Sequence, residues 1–518
     1  MRLPIIAATA GIAVLVAGGV YYGLEMYPQR QLRASIDQML TRLPPGTTVT
    51  YKDARYSVAT RTAVISGIVV RGNMAGQTPN PLDITIETIE TANPNLAFAE
   101  IWDQAVANPA AMSMDTDLPV ADSIAIKGLN AQAQGFTLTQ DSLRIEKPRV
   151  YPGVLLHPGV PALRDLPNLM ASPGTPPKPD DLAAMARLQA AYFLGSSNDG
   201  YQTKTIKLTI AAPAMNLAYD IRGMTSTGQD HGIMKGGKID GISVNAADLG
   251  SFSFDSASTG PIDVRDAATR LVKGEPLSLA LLDQVKIGRF EYSGVAATIP
   301  NQPPFKLGGM SIGPIAFAQG MPVTGGMGWT DLKVTAAQMP DATSREAFKQ
   351  SGLDSATISF AVAYDWDVAS KTATIRDTVL KVNELGTLTL NAIVTNLGPP
   401  PSPPDRAQLS KATLVLTDAT LVERAIKVAA AQSGATPAAF KTQFIAQTKQ
   451  QAAAMDKSGN KFMASLMTAV VDFVNDPRRL TIQLTPLTPI PVMTLQRVLA
   501  DPARFGPRLG MTATVGPK

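Results

Sequence analysis

Four aspartates crowd one stretch of the chain, Asp354, Asp365, Asp367 and Asp377, and paired carboxylates are the groups that cleave glycosidic bonds or ligate calcium. On a strand, Asp365 and Asp367 fall on one face, which makes them the candidate pair for an anchored hydrolase of envelope polymers. No calcium-loop spacing accompanies them, so aspartates on an exposed strand face and its turns are the simpler expectation.

Three short patterns invite other chemistry. Gly309-Met310-Ser311-Ile312-Gly313 has the spacing of a nucleophile elbow, which needs a strand before the serine and a helix after it. Pro314 and the strand-like Ile-Ala-Phe-Ala follow instead, and no histidine lies beyond His231. Gly232 to Lys238 (GIMKGGK) spaces glycine and lysine like a phosphate loop, but Ile239 stands where a magnesium-binding hydroxyl belongs. Ser458 and Lys461 form S-x-x-K without its K-T-G or S-D-N partners, and Ser458 reads better as a helix N-cap. Trp102, Trp329 and Trp366 are too widely spaced for a sugar-binding platform and are expected in the core. The chain has no cysteine and only two histidines, His157 and His231. That excludes disulfides, thiolate metal sites, thiol nucleophiles and any mechanism needing several imidazoles. No catalytic, cofactor-binding or metal-binding residue is assigned, and a non-enzymatic role is expected.

The elements that would position any site are mostly strands. Among 518 residues there are 41 glycines and 40 prolines, and only 17% of residues are charged, a mix suited to short strands and many turns. The net charge of +4 is scattered, so nucleic acid is not an expected partner. From Pro4 to Leu24 no residue is charged, and about 21 residues at ~1.5 Å each span roughly 30 Å of hydrocarbon. Ile5, Ile6, Ile12, Val14, Leu15, Val16 and Val20 carry this expected membrane anchor, with Tyr21, Tyr22 and Tyr27 at its outer interface. A signal peptide cut after Gly19, with Ala17 as the other small residue, is the alternative. Gly19 and Gly23 form a small-xxx-small pair through which two such helices could pack. Arg30 and Arg33 rival Arg2 and the free amine in the charge bias; a body outside the cytoplasm is the working expectation, because long C-terminal domains translocate regardless of nearby charge.

The expected fold class is mainly β with an α+β C-terminal region: an N-terminal transmembrane helix followed by antiparallel, repeated strand-hairpin sheet structure. Residues 1–28 are read as the signal-anchor, 29–151 as a first β-rich region, 152–200 as a Pro-rich loop and helix, 201–398 as a second β-rich region, and 399–518 as the α+β unit behind the PPPSPP run. Leu32, Ile36, Met39, Leu40 and Leu43 recur at helical spacing in a short amphipathic helix. Strands are expected over Ala63 to Val70, Leu82 to Glu87, Ser123 to Ile126, Phe136 to Leu138, Leu143 to Ile145, Thr205 to Ile210 and Met215 to Ile221. Tyr56 to Val69 (YSVATRTAVISGIV) and Trp366 to Val379 (WDVASKTATIRDTV) match in step and predict two copies of one hairpin. Near the end, Thr420 with Glu423, Thr436 with Pro437, and the apolar face of Phe462, Leu466, Val470, Phe473 and Val474 predict three helices before the strand Leu480, Ile482, Leu484.

The N-terminal helix, the run LPPGTTVTYKDARYSVATRTAVISGIVV and the later hairpin ending Glu384-Leu385-Gly386-Thr387-Leu388-Thr389-Leu390 together resemble the AsmA-like envelope proteins of Gram-negative bacteria; the C-terminal helices are not part of that pattern. The resemblance implies a single-pass inner-membrane protein with a periplasmic curved sheet, an apolar inner surface, and a role in lipid handling or envelope maintenance. Separately, a sheet that alternates apolar and polar residues must bury its apolar face against something: a second sheet, acyl chains or a partner. The expected partners are membrane lipid and other envelope proteins, with no cofactor. A subunit or scaffold of a membrane assembly is the remaining alternative.

Overall fold

The computed structural model describes residues 47–57, 59–74, 80–95, 97–161, 179–212, 215–247, 249–339, 341–398, 406–495 and 506–516. The expected anchor, including Gly19 and Gly23, the amphipathic helix after it and the PPPSPP run lie outside the described residues. Among the described residues no helix is long and apolar enough to cross a membrane. The fold is mainly antiparallel sheet with helices in the C-terminal region. Two compact units divide the chain, Met1–Phe290 with Ala297–Gln302, and Glu291–Ala296 with Pro303–Lys518.

The first unit is a meander. Its strands are β1 (Thr48–Thr50), β2 (Asp53–Ser57), β3 (Thr62–Met74), β4 (Asn80–Ala92), β5 (Ser123–Ala133), β6 (Phe136–Glu146), β7 (Gly200–Ala212), β8 (Met215–Ser226), β9 (Gly237–Ala246) and β10 (Gly250–Thr259). From β3 to β10 every strand pairs antiparallel with its neighbour in chain order, and β1 and β2 together edge β3. Residues 152–200, expected as a loop and helix between two β-rich regions, connect β6 and β7, which pair directly. At that end of the sheet lie the long connections carrying α1 (Phe98–Ala107), α2 (Pro179–Leu194) and α3 (Arg265–Val272); the other end has short turns such as Gln134–Gly135. The α2 boundary follows the sequence, with Gly195 N closing the helix on Ala191 O at 2.7 Å.

The strands are longer than the alternation predicts, because a crease crosses each of them. Gly67, Gly128, Thr205 and Gly241 have φ of +62°, +62°, +36° and +60°, one on every second strand. Pairing resumes beyond each without slipping, as in Ser66 opposite Thr88 and Ile68 opposite Ile86. The side-chain phase nevertheless flips, so inward residues step by three instead of two: Ile65 to Ile68, Ile86 to Ile89, Ile126 to Leu129, Ile221 to Met224, Ile239 to Ile242. Phe136 to Leu138 and Leu143 to Ile145, expected as two strands, are the two arms of creased β6. Glycine suits such positions for lack of a Cβ: one at Gly128 would run into the Glu87 side chain, and one at Gly241 into Arg222.

The second unit contains β11 (Phe305–Ile312), β12 (Met321–Thr335), β13 (Ser355–Asp367), β14 (Thr372–Val382), β15 (Gly386–Thr395), β16 (Gln408–Asp418), β17 (Arg479–Leu484) and β18 (Met511–Gly516), again paired antiparallel in that order. The two similar sequences form the same hairpin, one in each unit. Tyr56 opposes Ala63 as Trp366 opposes Ala373. Arg61 and Lys371 turn at φ +49° and +53°, and Gly67 and Asp377 crease at +62° and +52°.

Between β16 and β17 come α4 (Leu421–Ser433), α5 (Pro437–Lys457) and α6 (Lys461–Asn475). Gly434 ends α4 with φ +69°, and Thr436 caps α5, accepting from Ala439 N. Two caps differ from the sequence expectation. Asp418 Oδ1 takes Val422 N at 3.1 Å, while the Thr420 hydroxyl donates to Glu384 O instead. Asn460, not Ser458, caps α6 by accepting Met463 N at 3.2 Å, because Ser458 belongs to the end of α5 and donates to Met455 O at 2.8 Å.

Candidate functional site

The crease aligns uncharged rows across the first unit. One row reads Ile65, Ile89, Ile126, Leu143, Thr203, Met224, Ile239, Ala257; the next Ile68, Ile86, Leu129, Gln140, Ile206, Ile221, Ile242, Phe254; the third Val70, Ile84, Ala131, Leu138, Leu208, Tyr219, Val244, Phe252. Directly opposed residues point to the same side of a sheet. Thr203, Gln140 and Tyr219 alone carry polar atoms in these rows, and no position is charged.

Cover differs along the rows. Over β3, β4 and β5 the face is a closed core: Ile65, Ile84 and Ile89 are each 1% exposed, with Phe98, Ile101 and Trp102 of α1 among the residues packed there. Beyond β6 the same face is half-buried apart from the buried Thr203 and Ala257, and Phe252 reaches 42% exposure. Tyr201, on the next row out, sits in a dry site: burial, then neighbouring Tyr192, raises its phenol above the ordinary tyrosine range.

The second unit repeats the motif. Met310, Trp329, Phe360, Leu380, Leu388, Leu416, Leu480 and Val515 form one row. The Trp329 and Phe360 rings lie 4.5 Å apart between centroids, tilted by 31°, and Met310 and Leu380 are exposed. A parallel row through Ile375, Ala392, Ala412 and Leu484 is closed, with Leu495 packed on it. Trp366 is core, at 7% exposure.

The residues singled out for chemistry have other partners. Asp365 and Asp367 do share a face, opposite Thr374 and Thr372. Asp365 pairs with Arg376 at 2.7 Å, while Asp367 Oδ1 accepts Ala369 N and Ser370 N at 2.9 and 3.2 Å, closing the hairpin turn. The Ser370 bonds hold the Asp367 carboxyl below the usual carboxylate range. Asp377 N donates to Asn391 Oδ1 at 3.1 Å, and Asp354 lies at the opposite end of β13 from Asp365, about 36 Å along the strand. Gly309 to Ile312 lie inside β11, and the strand Ile315–Ala318 follows, without the turn into a helix that an elbow requires. Lys238, in the GIMKGGK run, pairs with Asp240 at 2.6 Å. His157 Nδ1 accepts Gly159 N at 3.1 Å, and His231 Nδ1 lies 2.7 Å from Leu194 O with its ring 4.2 Å from Tyr151. Among the described residues no three ligating side chains gather as a metal site. A groove of about 500 Å³ between α5 and α6 mixes Lys449 and Lys461 with Asp456 and Asp472 and has no charge preference. Two of the polar members of the apolar rows, Gln140 and Thr203, escape sequence analysis because they flank the crease, where alternation breaks.

A family model described as "Uncharacterized protein" matches residues 379–515, which run from β14 to β18 and include all three C-terminal helices. No curated protein matches the chain. No solved structure matches it.

Proposed function

We propose that the protein is a non-enzymatic, inner-membrane-anchored envelope protein whose periplasmic sheet binds or hands on lipid, as its resemblance to AsmA-like proteins implies. The observation that carries this reading is the uncharged face of the first unit, mostly half-buried across β7 to β10 and reaching 42% exposure at Phe252. Contiguous apolar surface of this kind marks a site for an apolar ligand, a membrane or a partner, and polar atoms in the three rows are confined to Gln140, Thr203 and Tyr219. In this reading the Pro4 to Leu24 segment anchors the chain beside its lipid source.

The test is purification of the full chain from membranes, then organic extraction and mass spectrometry. Lipid at a fixed ratio to protein is expected, and Ile242→Glu should strip it while the fold survives. Absence of lipid from the wild-type protein, together with no uptake from added vesicles, overturns the proposal. A C-terminal alkaline phosphatase fusion tests the location: activity is expected, and a silent fusion that is instead fluorescent with a cytoplasm-only reporter removes the envelope reading.

A further inference from the structure

The rows of the first unit are interrupted where the closed part meets the open part. Gln140 Nε2 donates to Thr203 Oγ1 at 2.6 Å, and Thr203 Oγ1 donates to Ser142 O at 2.8 Å. Thr203 is 4% exposed, and its hydroxyl both donates and accepts. Gln140 is half-buried. Its orientation is set by Thr203, and its carbonyl oxygen and second N–H have no partner among the described residues. It heads the row Ile206, Ile221, Ile242, Phe254. From β6 to β10 that row crosses four strand spacings, about 19 Å, the scale of one long acyl chain. Tyr219 lies in the neighbouring row.

We infer that Gln140 is the polar anchor of this face, donating its free amide N–H to the ester carbonyl of an acyl lipid whose chain lies across β7 to β10. This rests on the lipid reading above and names its ligand. A plain hydrocarbon would cover the Gln140 amide without bonding it, which costs free energy. A free carboxylate would bring a charge onto a face that has no charged side chain to offset it. An ester carbonyl accepts from the free N–H of Gln140 and adds no charge.

The experiment uses the full-length protein and competes hexadecane, methyl palmitate and palmitate, each delivered from cyclodextrin, against a fluorescent anilinonaphthalene probe. Methyl palmitate should displace the probe about fivefold better than hexadecane, the scale of one net hydrogen bond, and better than palmitate at neutral pH. Gln140→Met, close in size, should bring the ester and alkane together, weakening competition by the ester and strengthening that by the alkane, which then covers no unbonded amide. Should that variant melt early, infrared spectra of carbonyl-labelled methyl palmitate on the wild-type protein decide: a carbonyl band shifted to lower frequency than in hexadecane supports the bond. An unshifted band, or equal competition by ester and alkane in the wild type, overturns the anchor and leaves the apolar face standing. Tighter binding of palmitate than of its ester also overturns it. If none of the three competes, the lipid reading itself fails and the anchor with it.

Discussion

The closed and open halves of the first unit's sheet are built from the same pairing, the same crease and the same uncharged rows, yet one is a core and the other a surface. Over β3 to β5 the inward positions are mainly isoleucine, valine and alanine, packed with α1 and the β1–β2 edge. Over β7 to β10 they include Met224, Tyr219, Phe252 and Phe254, and exposure rises. β-Branched residues fit a dry, tightly packed face, whereas methionine and aromatics adapt to what touches them. The difference lies in cover rather than in strand architecture.

The largest contrast should come from truncation. Ile86→Ala in the closed half is expected to cost roughly 3 kcal/mol, and Ile242→Ala in the open half about 1 kcal/mol, by urea unfolding. Equal losses would erase the distinction. Next, Gly241→Ala forces a side chain onto a φ of +60° and into Arg222, for an expected loss of about 2 kcal/mol. A neutral result would mean that the crease is not fixed in the open half. Thr205 is the β-branched exception among the crease residues, at φ +36°, so Thr205→Gly should gain up to about 1 kcal/mol. The smallest effect is expected from pH. Tyr201 stays protonated longer in the folded than in the unfolded chain, so its contribution is complete below the ordinary tyrosine value and lost as pH rises beyond about 10. Tyr201→Phe should shallow the alkaline fall in stability, read from melts across that range.

Much of this fold is legible in the sequence. The matching Tyr56 and Trp366 segments become hairpins with equal registers and left-handed turns at Arg61 and Lys371. The helix ends at Gly195 and Gly434 follow from glycine placement. The crease does not read as one strand: a step of three between Ile126 and Leu129, or across Asp141 and Ser142, breaks two-residue alternation and looks like the end of a short strand. That is why the expected strands stop at Glu87 and Ile126. Helix caps misread at Thr420 and Ser458 have another cause, since a neighbouring Asp418 or Asn460 can compete for the same amides and only the chain's path decides between them. The half-open face is hidden for a third reason. Apolar alternation records which side is inward and carries no signal of whether anything lies over it.

Because each long strand of the first unit pairs with the one before and after it in the chain, the sheet resembles a zipper more than a mosaic. Its stability becomes a sum of local interfaces, and its assembly needs few distant encounters. A chain that emerges gradually during synthesis can therefore add one strand at a time to an existing edge, with each new pair finished before the next arrives.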